Sequence, residues 1–242
     1  MLLKGKTVLI TGANRGIGRA LVNEALRRGA KRVYAGTRGS LQIDDPRVTP
    51  ITLDVTNTSQ IQQAAAKIDS LDVLINNAGI AHFDDGSSAD AIKEHLDVNL
   101  YGPFNVTRAF LPALTRSKGA IINNLTVASL APVPISPAYS ISKAAALSLT
   151  QSLRTLVASK GVTVHGAILG PVDTDMARDL DVPKASPESA AQGIFDGLEK
   201  GEDDIFPDPM SQSLAEGWRN GVSKTLERQF ASFAPHTETT HA

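Results

Sequence analysis

The sequence predicts an α/β protein, a single doubly wound domain whose mainly parallel sheet carries helices on both faces. Three observations predict it. Short β-branched runs alternate with longer helical patterns along the chain, as βαβ units do. The first run opens into a glycine-rich turn, TGANRGIG at 11–18, and folds of this kind bind ligands just outside the carboxyl ends of their strands. No internal repeat, low-complexity block or Pro/Gly-rich linker divides the 242 residues, a length that one α/β domain can fill.

The strand candidates, in order, are 6–11, 32–37, 49–55, 71–77, 120–125, 162–169 and a weaker run at 203–207. Each is short, rich in valine, isoleucine or threonine, and bounded by turn residues. Helical patterns fill the spaces between them at 17–28, 58–69, 88–97, 99–116, 137–160 and 187–199. Glycine stands just past the end of two of these, at Gly29 and Gly161, as expected where a helix closes in a left-handed residue. The domain is expected to span 1–210, with 211–242 as a helical extension and tail.

Composition narrows the function. Lysine plus arginine (24) nearly balances aspartate plus glutamate (25), so no overall field recruits nucleic acid or an anionic membrane. With no cysteine, disulfides, thiolate nucleophiles and cysteine-bound metals are excluded. The five histidines, His82, His95, His165, His236 and His241, show no i, i+4 pair, so no metal is expected. Lys4 and Lys6 interrupt the first apolar run, and no stretch approaches the ~18 apolar residues of a membrane span. A cytoplasmic protein acting on a small molecule is the expectation.

Two motifs carry the chemistry. In the glycine loop, Gly12 permits a sharp turn, Gly16 admits a pyrophosphate to bare backbone, and Gly18 lets the first helix pack closely, its N-terminus facing the phosphate charge. In SPAYSISKAA at 136–145, Ser136 is expected to cap and Pro137 to begin a helix, which puts Tyr139 and Lys143 on successive turns of one face. A free phenol with pKa ~10 needs its phenolate favoured by about 4 kcal/mol to serve near neutrality. An ammonium ~4–5 Å away supplies ~3–4 kcal/mol at an effective dielectric near 20.

The order of Thr11-Gly12-x-x-x-Gly16-x-Gly18, then Asn76-Asn77-Ala78-Gly79, then Tyr139-x-x-x-Lys143 resembles the short-chain dehydrogenase/reductase family over about 5–207. The resemblance implies a Rossmann-type sheet of seven strands, a nicotinamide dinucleotide, hydride transfer at a carbonyl or alcohol carbon, and a homodimer or homotetramer. It implies that Tyr139 passes a proton to or from the substrate oxygen. Lys143 then tunes that phenol and binds the nicotinamide ribose, and Asn99 anchors a water. Asn14 and Ile17 in the loop, Asp54 and Val55 beside the adenine, Asn76, Ala78 and Gly79 along the dinucleotide, and Gly170, Val172 and Thr174 near the nicotinamide complete the expected site. Two positions depart from the family. Thr126 replaces the serine that orients the carbonyl, with Ser129 as the fallback, and Leu169 stands before Gly170 where proline is usual.

The choice of dinucleotide has a physical argument. An acid at the end of the second strand holds the ribose 2′-hydroxyl of NAD, whereas cations accommodate a 2′-phosphate. Here Thr37 takes the acid's place, Arg38 follows it, and Arg15 adds a cation from the loop, so NADP(H) is expected. Segments 80–84, 129–137 and 172–183 are chiefly apolar with few cations, which suits an uncharged ketone, aldehyde or alcohol. Two other readings are a catalytically weak dinucleotide-sensing regulator, and a lyase or dehalogenase on the same fold. Against the latter, both the glycine loop and the lysine are intact.

In the extension, Leu214, Trp218, Val222, Leu226 and Phe230 recur every four residues beside Glu216, Arg219, Lys224, Glu227 and Arg228. That spacing predicts an amphipathic helix with its apolar stripe buried on its own domain, as a lid over the substrate cleft or, the favoured expectation, in a subunit interface. Gly217 and Gly221 argue for a close crossing or a break within it.

Overall fold

The computed structural model describes residues 1–39 and 41–233. The end of the predicted tail, 234–242, with His236 and His241, lies outside the described residues.

Seven strands form one sheet in the order β3-β2-β1-β4-β5-β6-β7, and every adjacent pair is parallel. They are β1 (Thr7–Thr11), β2 (Arg32–Thr37), β3 (Val48–Thr52), β4 (Val73–Asn76), β5 (Ala120–Thr126), β6 (Thr163–Leu169) and β7 (Asp204–Ile205). The order reverses between β1 and β4, and that switch point opens a crevice beyond the carboxyl ends of the strands.

Central strands bury both faces, so their sequences read as continuous apolar runs rather than alternating ones. On one face, Val8, Ile10 and Ile75 pack with Leu21, Ile194 and Phe195 from α1 (Gly16–Arg27) and α6 (Pro187–Lys200). On the other, Leu9, Leu74 and Ile121 pack with Ile61, Phe110 and Leu153. Those three come from α2 (Thr58–Lys67), α4 (Gly102–Ser117) and α5 (Pro137–Ala158). A short helix, α3 (Ala89–Leu96), leads through a single π-turn, Asp97–Tyr101, into α4.

The extension departs from expectation. Among the described residues it forms three α-helices instead of one: α7 (Pro209–Gln212), α8 (Ala215–Arg219) and α9 (Val222–Phe230). The break falls at Gly221, the N-cap of α9; no close crossing surrounds Gly217, where an added Cβ would meet nothing within 4 Å. The stripe splits with it. Trp218 packs beside Phe206 and Leu147 and donates its indole N–H to Asp204 (2.7 Å), whereas Leu214, Val222, Leu226 and Phe230 face outward, Val222 with 76% of its surface exposed. Inward go the charges: Lys224, 4% exposed, meets Asp204 at 2.7 Å and Glu227 at 2.9 Å, and Arg154 pairs with both carboxylates. A surface of α5 and β7 that already presents Arg154 and buried Asp204 is matched by charge, which reverses the polarity that periodicity alone suggests.

Candidate active site

A cleft of about 620 Å³ runs along the carboxyl ends of β2, β1, β4, β5 and β6. The glycine loop forms its floor. Gly12 has φ +65°, and an added Cβ would lie 2.9 Å from the Ala78 Cα; at Gly18 it would lie 2.1 Å from the Gly12 carbonyl oxygen. Both positions therefore require glycine. No side chain caps the start of α1, and its first turn holds no acid, so its free N–H groups and positive end face the cleft ready for an anion.

The Asn-Asn-Ala-Gly segment lashes this loop in place. Thr11 Oγ1 accepts from the Asn77 and Ala78 N–H groups, both at 3.0 Å, while Asn77 Nδ2 donates to the Thr11 and Gly12 carbonyls. Asn77, rather than its neighbour, does this work. Asn76 does not line the cleft as expected; it lies 3% exposed inside the sheet, donating to Thr107 and Asn123.

At the outer end of the cleft, Thr37 and Arg38 follow β2, and Asp54 and Val55 follow β3. Asp54 accepts from the Thr56 N–H and hydroxyl, and these bonds with the nearby Arg38 charge hold its carboxyl below the usual range against the opposing effect of burial. Across the glycine loop, Arg15 is bonded to Asp175 at 2.8 Å. Asn14, Gly16, Ile17, Gly79, Gly170, Val172 and Thr174 all line the cleft as expected. The Gly170 N–H donates to the Asp208 carboxylate (2.8 Å), so the N-cap residue of α7 fixes this loop.

At the inner end stand Thr126, which closes β5, and Tyr139 and Lys143, one turn apart on α5. Thr126 Oγ1 accepts from the Ala128 N–H and lines the same end of the cleft as Tyr139. Ser129, the fallback, is buried and spends its hydroxyl on the Thr126 N–H. Lys143 donates to the Asn124 carbonyl at 2.8 Å, and its Nζ stands 5.9 Å from the Tyr139 ring centre. It has no carboxylate partner among the described residues.

Electrostatics here correct the simple arithmetic of a lysine lowering a tyrosine. Tyr139 is half-buried and lines the cleft, and desolvation pushes its phenol up to about 12, opposed by the Thr126 hydroxyl. Burial likewise pulls Lys143 down to about 8. Before any ligand enters, desolvation outweighs the attraction between the two.

Asn99 stands behind the cleft wall in the π-turn. It accepts from the Ile80 N–H (3.0 Å) and donates to the Ile80 carbonyl (2.9 Å) and Ser142 hydroxyl (2.9 Å). Ser136, expected to cap α5, makes no capping bond; the Asp84 carboxylate accepts from the Ala138 N–H instead (3.2 Å). The sequence gives no local sign of this cap, because its donor and acceptor are 54 residues apart. Among the described residues no three histidines or carboxylates gather as a metal site, and no helix is long and apolar enough to cross a membrane.

Comparison with known proteins agrees with this architecture. The family model described as short chain dehydrogenase matches residues 6–184. The chain is 32% identical to the oxidoreductase UcpA of Salmonella typhimurium, over 91% of this chain and 94% of that one. A short chain dehydrogenase from Burkholderia cenocepacia, solved in complex with NADP, is 35% identical and superposes with a TM-score of 0.87 over 95% of this chain and 98% of its own. One from Streptomyces avermitilis, 25% identical, gives 0.80 over 97% and 99%. With the motifs, the strand order and these matches in agreement, the chain belongs to the short-chain dehydrogenase/reductase family of oxidoreductases.

Proposed function

We propose that this chain is an NADP(H)-dependent oxidoreductase that interconverts an uncharged, apolar ketone or aldehyde and its alcohol. The observation that carries the reading is the convergence of the Thr126 hydroxyl, the Tyr139 phenol and the Lys143 ammonium at one end of a cleft whose other end is built for a dinucleotide. The residues fit the cofactor: the uncapped start of α1 and the bare Gly12 turn suit a pyrophosphate. Thr37 with Arg38 and Arg15 suits a 2′-phosphate, and the NADP complex of the Burkholderia relative supports the same choice. When bound, the cofactor supplies or accepts the hydride.

The chain's own groups do the rest. Thr126 and Tyr139 donate hydrogen bonds to the substrate oxygen and fix the carbonyl. As negative charge grows on that oxygen during reduction, Tyr139 passes its proton to it. A phenol pushed up to about 12 stays protonated at neutral pH, as an acid for carbonyl reduction must be. Lys143 stabilises the phenolate left behind. Ile80, Phe83, Val133, Ile135 and Leu180 give the substrate end apolar walls, which favours an uncharged substrate. We also take the working unit to be a homodimer or homotetramer that covers the outward apolar residues of α9.

NADPH oxidation against a panel of apolar ketones and aldehydes, with NADH as control, tests this function. Turnover with NADPH is expected, with dissociation constants by calorimetry at least ~10-fold tighter for NADPH than for NADH. Arg38→Asp is expected to weaken NADPH and relieve NADH. Equal affinities in the wild type refute the cofactor choice; tight NADPH binding with no carbonyl reduced favours the dinucleotide sensor.

A further inference from the structure

His95, at the end of α3, has no part in the chemistry above, yet its ring is completely buried against the catalytic tyrosine. It meets the Tyr139 ring edge-on, with centres 6.4 Å apart, and the His82 ring in the same manner at 5.4 Å. Both nitrogens are engaged: Nδ1 lies 2.7 Å from the Ala91 carbonyl oxygen, and Nε2 lies 3.2 Å from the His82 backbone N. A backbone N–H only donates and a carbonyl only accepts, so Nε2 carries the lone pair and Nδ1 the proton. One uncharged tautomer satisfies both neighbours.

The bond to His82 matters because of what residues 80–86 hold. Ile80, His82 and Phe83 line the cleft. The Ser136 hydroxyl donates to the His82 carbonyl (2.6 Å), the Asp84 N–H donates to the Ile135 carbonyl (3.2 Å), and the Asp84 carboxylate caps Ala138, the residue before Tyr139. The segment is thus one wall of the substrate site and also the cap of the helix that presents the phenol.

We propose that His95 is a positioning residue: as an uncharged imidazole protonated on Nδ1, it fixes segment 80–86, and through it the first turn of α5 with Tyr139. This rests on Tyr139 being the proton donor. Three variants separate the two bonds. His95→Gln reaches the Nε2 position and keeps an acceptor for the His82 N–H. His95→Asn keeps only a donor to Ala91, and His95→Leu keeps neither.

In the full-length chain with NADPH bound, kcat for carbonyl reduction is expected to stay within about 3-fold of wild type in the Gln variant. It should fall about 10- to 30-fold in the Asn and Leu variants, while the NADPH dissociation constant changes less than about 2-fold in all three. Nitrogen-15 NMR should show His95 protonated on Nδ1 and bare on Nε2. Amide exchange at His82 should quicken in the Asn and Leu variants but not in the Gln variant. A His95 protonated on Nε2, or Asn and Leu variants that lose melting temperature but keep kcat, overturns the proposal. If the wild type reduces no carbonyl, the function reading fails by itself, and the tautomer and His82 exchange still decide whether His95 holds the segment.

Discussion

Two lysines of this protein are buried to nearly the same degree, and their surroundings could hardly differ more. Lys143, 7% exposed, has one carbonyl for a partner; Lys224, 4% exposed, sits among Asp203, Asp204 and Glu227, with Arg154 balancing the excess negative charge. An ammonium removed from water without a counter-ion is costly, and folding alone gives no reason to keep it. One surrounded by carboxylates fastens one element to another. Burial of charge therefore says little until the partners are counted, and the unpaired case is the one that points to chemistry.

The largest effect is expected at the phenol beside Lys143. Tyr139→Phe should abolish turnover while leaving NADPH affinity nearly intact, because only a group needed in the transition state is removed. Activity above about a tenth of wild type in steady-state assays would refute the assignment. At Thr126 the expected order is serine at or above wild type, then threonine, then alanine, the last lower by about 10²-fold in kcat.

Replacing each lysine by methionine sharpens the contrast. Lys143→Met should cost about 10²-fold or more in kcat but leave urea stability unchanged or raised, since it removes a charge with no ionic partner. Lys224→Met should do the reverse, with kcat within about 2-fold and stability lower by about 3 kcal/mol, because it strands carboxylates beneath α9. If both variants lose stability alike, the distinction between the two sites fails.

The same contrast appears in pH. Below pH 8, Lys143 is charged in both folded and unfolded chains and its burial cost is fully present. Between about 8 and the ordinary lysine value of 10.5 the unfolded chain holds more protons, so stability rises with pH, by up to about 3 kcal/mol. Tyr139, pushed up to about 12 from 10.0, acts oppositely above pH 10, where the unfolded chain loses its proton first and stability falls. Denaturant melts of the cofactor-free protein should show wild type gaining on Lys143→Met over pH 8 to 10; parallel curves would exclude the depressed lysine.

The fold and the gathering of the glycine loop, Tyr139 and Lys143 at one cleft were legible in the sequence for a common reason. Parallel strands buried on both faces leave continuous apolar runs, and Gly12, Gly18 and the Tyr139/Lys143 spacing are short-range demands of backbone and helix geometry. What escaped were relations between distant segments: Asn77 tying the glycine loop, Asp84 rather than Ser136 capping α5, and His95 holding His82. The polarity of α9 escaped for another reason. Its four-residue period marks a stripe truly present, but which side faces the protein depends on Arg154 and Asp204, which the helix meets only after folding.

That inverted helix supplies the smallest effect and a further test of the comparison. If charge pairs hold α9 down, its outward residues contribute little to the isolated subunit: Phe230, 58% exposed, should be replaceable by glutamate with a change under about 0.5 kcal/mol in a monomer. An exposed apolar row of Val222, Leu226 and Phe230 on a rigid helix is instead suited to a second surface. Light scattering on Phe230→Glu should then show a smaller assembly than wild type with kcat retained. None of the described residues of α7, α8 or α9 lines the cleft, which argues against the lid. An unchanged mass with an altered KM would reverse that judgement, since a helix that touches substrate only during turnover changes affinity without changing assembly.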